Sequence, residues 1–388
     1  MVTNYLKKLL QIKNRKSHNY IDLTDIGFSE FAKGSIGVEA YSSNVIVYRC
    51  VNLIAQSASH VPWIVKKKRR GSTEIVQDHP IYELLKKPNP SKAGADFFSE
   101  IIASKLLFGN CYILSTAEWQ PREIYLLHAP AIELILKQNQ VVAYKYNGNR
   151  GEKIYQIDPI TRISKILHLK NYNPNNPHYG LSCLEAASKS IDLHQHATNW
   201  NSALLKNGAR PSGALIVKDS NGYLSDEQFE RLQSQFTDKF TGSHNSGKPL
   251  LLEGGLDWQE MSINPRDMDF IESKNSAARE IALAFGVPPQ LLGINGDNTY
   301  SNMQEARLAL WEETLIPLLD KLADALSNWL SHWYQEEIII DFDRDNISAL
   351  TERRENLWAK ISNANFMTLN EKRAFVGLPP LEGGDVIA

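Results

Sequence analysis

The apolar positions are patterned most sharply in the last third of the chain. Leu308, Trp311, Leu315, Leu319, Leu322, Leu326, Trp329 and Trp333 follow one another in steps of three and four, the spacing that keeps one stripe of a helix turned toward a partner. Ser301 and Gln304 ahead of the stripe match a capping box, so a helix is predicted from Ser301 to Trp333, about 50 Å long at 1.5 Å per residue. Pro317 falls in its middle. Its missing N–H and the clash of its ring with the carbonyl of Glu313 predict a bend there. Upstream, Gly286, Pro288 and Pro289 end the preceding helix. The stretch Gly293 to Tyr300 between them is rich in turn formers and poor in core residues, and reads as an exposed loop.

In chain order the pattern is α+β. Residues 1–40 read as a polar arm. Val47, Val51, Ile54, Ala55 and Ala58 predict a helix from Asn44 to His60, ended by Pro62 and followed by a strand at Trp63 to Val65. The basic run Lys66 to Arg70 reads as a solvated hairpin edge. A helix from Phe97 to Phe108 is broken by Gly109-Asn110 before a strand at Cys111 to Thr116. Further strands are predicted at 123–127, 132–136, 141–146 and 163–169. Ser182 and Glu185 form a second capping box, with Gly208 as the stop, predicting one helix of about 39 Å. Its surface is mostly polar, which suits contacts between subunits better than one monomeric core. Strand-like 214–217, a helix at 225–240 and strand-like 249–252 make a small insertion, and a helix returns over 267–285. Glu336 to Phe342 reads as a strand, and 351–388 as two short helices.

Composition narrows the class. The 388 residues are 43% hydrophobic and 22% charged with a formal net charge of −2, enough apolar content for two or three domains and too little positive charge for tight, sequence-independent DNA binding. Cys50, Cys111 and Cys183 lie far apart in apolar or small-residue contexts, as buried free thiols of a reducing compartment would. Lys7, Lys8, Lys13, Arg15 and Lys16 are not followed by an apolar stretch or cleavage site, so no signal peptide is read. No run of about 18 apolar residues occurs, so no membrane contact is expected.

Two motifs come close to known chemistry. Gly242 to Pro249 imitates a phosphate-binding loop, but Pro249 stands where a magnesium-binding hydroxyl is needed, and the segment runs from helix to strand. Asp341, Asp343, Asp345 and Glu352 match calcium-loop positions, yet a strand precedes them where that motif needs a helix. His194 and His196 are two apart and diverge on a helix, a poor metal pair. No catalytic, cofactor or metal residues are therefore assigned.

FGVPPQLLG, the Asn/Gly loop and TLIPLLDKLADAL, together with HPIYELLKKPNP, GNCYIL, YGLSCLEAA, NGARPSG, LLLEGGLDWQEMS and PRDMDFIE, resemble the HK97-type portal proteins of tailed bacteriophages. The likeness covers most of the chain, with the motifs in order. It implies a wing at 41–180, a first stem helix at 181–208, a clip at 209–266, a second stem helix at 267–286, a tunnel-loop region at 287–300, a kinked helix with a returning wing strand at 301–350 and a helical crown at 351–388. It also implies a non-enzymatic ring, a dodecamer, set in the virion at one capsid vertex after assembly in the host cytoplasm. Double-stranded DNA would pass through it during packaging and ejection. A terminase large subunit, a major capsid or scaffold protein and a head-tail adaptor would be its partners. Ile294, Asn295, Gly296, Asp297, Asn298 and Thr299 would face the DNA channel, with Pro317 as the kink. Two rivals, a DNA-packaging ATPase or nuclease and a calcium-binding module, would need an intact phosphate loop or an acidic loop between paired helices. The residues meet neither requirement.

Overall fold

Asn44 opens the first long helix. Its side-chain oxygen accepts from the amides of Ile46 and Val47 at 3.0 and 3.3 Å, satisfying two of the donors that a helix start leaves without partners. In the computed structural model, which describes residues 35–69, 72–117, 119–148, 151–206, 213–217, 256–260, 270–294, 300–376 and 378–386 with single residues between 225 and 234, helix α1 spans Ser35–Ser43 and α2 spans Val45–Ser59. The polar arm therefore gives way to helix before residue 40.

Strand β1, Trp63–Arg69, corrects the hairpin-edge reading of the basic run. It is the middle strand of a three-stranded sheet, between β2 (Ser72–Ile75) and β11 (Ile338–Phe342). The lysines are tolerated there because β11 and the turn before it supply acids. Lys66 pairs with Asp341 at 2.6 Å, Lys67 with Glu336 at 2.6 Å and Lys68 with Glu337 at 2.8 Å. A strand from the far end of the chain thus closes the sheet that the N-terminal half begins. Helix α3, Pro80–Lys86, with His79 as its cap, and strand β2 had no predicted counterpart.

Helix α4, Gly94–Phe108, ends at Gly109 with φ 67°, and β3 (Asn110–Ser115) follows at once. It sits between β4 (Ile124–Leu127) and β8 (Ile166–Lys170), and a second antiparallel sheet joins β5 (Ile132–Lys137), β6 (Gln140–Gly148) and β7 (Gly151–Gln156). One core, with Phe97, Phe98, Ile113, Leu326, Leu330 and Ile340, lies where α4 and β3 meet the helix Ile316–Tyr334 and β11. Another gathers Val51, Ile54, Ile281, Phe285, Leu315 and Leu319, so the N-terminal helix packs on elements more than two hundred residues later.

The helix predicted from 183 to 208 is two helices, α5 (Cys183–Ala186) and α6 (Ser188–Lys206), separated at Ala187. Ser182 caps the first by accepting from the Leu184 amide at 3.0 Å. Gly208 lies outside the described residues, as do the strand-like 249–252 and most of 225–240. Strands β9 (Gly213–Val217) and β10 (Leu256–Glu260) pair antiparallel. Helix α7, Phe270–Phe285, runs against α6, where Ser190 donates to Glu280 at 2.5 Å. Helices α8 (Tyr300–Ala309) and α9 (Ile316–Tyr334) precede β11, and after it come α10 (Thr351–Ser362) and α11 (Leu369–Phe375), the two short helices expected of 351–388. No described helix is long and apolar enough to cross a membrane.

Candidate functional site

The segment from Gly286 to Tyr334 joins the end of α7 to the helix that reaches both cores. Gly286 takes φ 68°, a left-handed conformation that costs a glycine little. A side chain there would also put its Cβ 2.6 Å from the Thr314 hydroxyl oxygen. That hydroxyl donates to the Gly286 carbonyl at 2.6 Å and fastens the end of α7 to a turn 28 residues later. Pro289–Leu292 forms a short 3-10 turn and Gly293 closes it at φ 72°. Ile294, expected to face a channel, is drawn inward at 8% exposure. Asn295, Gly296, Asp297, Asn298 and Thr299 lie outside the described residues.

Helix α8 covers Tyr300–Ala309, so Ser301 lies one residue inside the helix and not at the predicted cap position. The chain then opens into a π turn, Leu310–Leu315, before helix α9, Ile316–Tyr334. The Ile316 amide reaches the Trp311 carbonyl, five residues back. Pro317 is the physical cause nearest at hand: it has no N–H to give, and its ring crowds the Glu313 carbonyl of a regular α-helix, a conflict that a wider turn relieves. The irregularity expected at Pro317 is therefore a π turn just ahead of it. Its effect is on register. Leu310 and Ala306 are buried, while Leu308 and Trp311, both in the predicted stripe, are half-buried. From Leu315 onward the predicted stripe is largely the buried one, with Leu319, Leu322, Leu326 and Trp329 buried and Trp333 half-buried.

Beside α8 runs an open groove of about 1080 Å³, lined by Arg49, Leu53, Arg307, Trp311, Arg353 and Leu357 among others. Arg353 of α10 also pairs with Glu312 of the π turn. On the neighbouring helix pair, His194 is buried and His196 exposed, so the two point apart as their spacing requires. The His194 Nδ1 lies 3.3 Å from the Asn44 amide nitrogen. Burial, then the Lys274 charge, lowers its pKa, which keeps the ring neutral and lets Nδ1 accept. Cys50 and Cys111 are buried free thiols and Cys183 is half-buried. Burial pushes the Cys50 thiol up to about 12 and Cys111 higher still, so neither is a nucleophile at neutral pH.

The acidic run from the end of β11 onward is occupied by the chain's own donors. Asp341 holds Lys66, Asp343 accepts from the Asp345 amide at 2.9 Å, and Asp345 faces Arg354 at 3.4 Å. Among the described residues no three His, Cys, Asp or Glu side chains converge as metal ligands would. The phosphate-loop imitation at 242–249 lies outside the described residues.

What these elements have in common with other proteins is extensive. The family model described as phage portal protein matches residues 45–377. A protein of Rickettsia bellii is 71% identical over 385 residues, covering 99% of this chain and all of its own. The portal protein of Enterobacteria phage HK97 is 23% identical over 350 residues, covering 88% of this chain and 80% of its own. A chain in the neck of a native gene transfer agent (GTA) particle, computed with C12 symmetry, superposes with a TM-score of 0.68 at 38% identity, over 90% of this chain and 94% of that one. The helices, sheets and π turn described here therefore make up a chain that belongs to the phage portal protein family.

Proposed function

We propose that twelve copies of this chain form a ring at one vertex of a capsid, through which double-stranded DNA is packaged and later ejected. The observation that carries this is the superposition on a chain of a C12-symmetric particle neck across 90% of the sequence. In this reading residues 41–180 form the wing, 181–208 and 267–286 the stem, 209–266 the clip and 351–388 the crown. The helix α8–α9 runs between the channel and the wing, and β11 returns to close the wing sheet. Asn295 to Thr299 contact passing DNA without gripping it, since Asp297 is their only charge. A terminase large subunit and a head-tail adaptor dock on the ring, and a major capsid or scaffold protein surrounds it. The chain acts as a structural part and not as an enzyme, assembling in the host cytoplasm and residing in the particle.

Light scattering on the purified protein, with co-expression beside its capsid protein, tests the ring. A species of about twelve subunits supports it. A mass that stays at 43.8 kDa across salts and concentrations, with no ring on co-expression, overturns it.

A further inference from the structure

Helix α11 and the turns that follow it make a small knob, tied together at Asn370. The Asn370 side-chain nitrogen donates to the Leu381 carbonyl at 3.0 Å and to the Asp385 carboxylate at 2.8 Å, its side-chain oxygen accepts from the Leu381 amide at 2.8 Å, and its backbone amide reaches the Gly384 carbonyl at 2.8 Å. The knob's two cations, both half-buried, are turned to backbone oxygens: Lys372 donates to the Ser362 carbonyl and Arg373 to the Pro379 carbonyl. Its exposed side is apolar and acidic. Phe366, Leu369, Phe375, Leu378, Leu381 and Val386 are exposed, Phe375 at 66% and Val386 at 72%, among the exposed acids Glu371, Glu382 and Asp385. Single exposed apolar residues are ordinary on a protein surface, but a group of them on one small element marks a contact site.

The groove of about 1080 Å³ beside α8 has the matching character. Leu53, Leu308, Trp311 and Leu357 give it apolar walls, and Arg49, Arg307, Arg353 and Lys360 stand among them. Against these four cations are set two acids, Glu305 of the lining and Glu312, the partner of Arg353. The groove does not receive the knob of its own chain, whose apolar side chains are uncovered.

We propose that the knob of one subunit seats in this groove of the next copy in the ring, with Leu378, Leu381 and Val386 against the apolar walls and Glu382 toward Lys360. The inference rests on the ring reading and names one of the contacts that would build it. Knob and groove are different surfaces of one chain, so the contact is heterologous: each subunit offers a knob on one side and a groove on the other, and repetition closes a ring where the rotation between copies allows it. Apolar burial supplies the attraction, and the acids on cations fix which way round the neighbour sits.

The test uses full-length protein. Chains carrying Leu381→Cys are assembled with tagged chains carrying Leu357→Cys, both positions being exposed in the single subunit, and a short bismaleimide is added. A 381–357 link can form only between two chains, and peptide mapping separates it from links to the native cysteines. The expected result is that link in assembled rings. Rings that form without it overturn the knob-in-groove contact and leave the ring reading standing, whereas a protein that never assembles overturns both. Charge reversal gives a second measurement. Glu382→Lys should raise the protein concentration needed for assembly about two- to fivefold, as the loss of one exposed ion pair would, and Lys360→Glu in the same chain should undo the change. Assembly of Glu382→Lys at the wild-type concentration, or a further weakening on adding Lys360→Glu, overturns the proposal.

Discussion

Gly180 has no side chain because two backbone segments leave no room for one. A Cβ there would overlap the Gly109 carbonyl oxygen and lie 2.6 Å from the Asn171 nitrogen. Around it, Asn110 Oδ1 accepts from the Gly180 amide at 2.8 Å, and the Ser182 hydroxyl donates to the Leu107 carbonyl at 2.8 Å. The motifs GNCYIL and YGLSCLEAA, seventy residues apart, thus meet in one knot. Their glycines are legible in the sequence as breaks, but the partner of each is not, because that is a long-range contact. Gly180→Ala should destabilise the subunit by about 2–4 kcal/mol, read as a lowered urea midpoint; an unchanged midpoint would contradict this packing. The ion pairs across β1 and β11 make a pH prediction. Burial pushes the Asp341 carboxyl up, but hydrogen bonds from Lys66 and the Phe342 amide, with the Lys66 charge, prevail and hold its pKa below the usual value. A depressed pKa contributes stability above the unfolded-state value, near 4, that is lost as pH falls through the lower folded value. Asp341→Asn should cost about 0.5–1 kcal/mol at pH 7 and flatten the acid limb of stability against pH below about 4. A variant as stable as wild type at pH 7, with the same acid limb, would show that the pair contributes nothing.

At the scale of elements, punctuation was legible and register was not. Gly109, Gly286, Pro62 and Pro288 mark ends that the structure keeps, because backbone geometry at these residues is dictated locally. Strand β7 went unseen since it is almost wholly exposed, with no alternation of apolar residues to reveal it. The reading of α8 failed for the opposite reason: two apolar stripes were available, and the core that Leu310 and Leu315 of the π turn share with α2 and α7 selected the one that needs a π turn. Between Gly286 and Tyr334, Gly286 was legible as a helix stop and Pro317 as an irregularity, while the Thr314 contact that ties Gly286 to the π turn was not. Pro317 sits in the first turn of α9, where proline is well tolerated. Pro317→Ala should therefore change subunit stability by less than about 1 kcal/mol, far from the roughly 3 kcal/mol of a helix interior. A gain near the larger figure in chemical denaturation would mean that the proline strains an ordinary helix.

At the scale of the whole molecule, helices α6 and α7 carry more apolar surface than a lone subunit needs. Leu193 and Trp200 on α6 and Ile271 and Leu283 on α7 are exposed, Leu283 at 78%. A ring offers such side chains a neighbour. Leu283→Glu should cost the isolated subunit no more than about 0.5 kcal/mol, as exposed substitutions usually do, and yet prevent ring assembly in light scattering. Rings of normal size from this variant would place the subunit contact elsewhere. The portal reading itself meets its most direct test in electron microscopy of heads assembled with and without this chain. A twelve-fold ring at a single vertex, with DNA-filled heads only when the chain is present, is the predicted result. Heads that fill with DNA in its absence, or a chain found at no vertex, would contradict it.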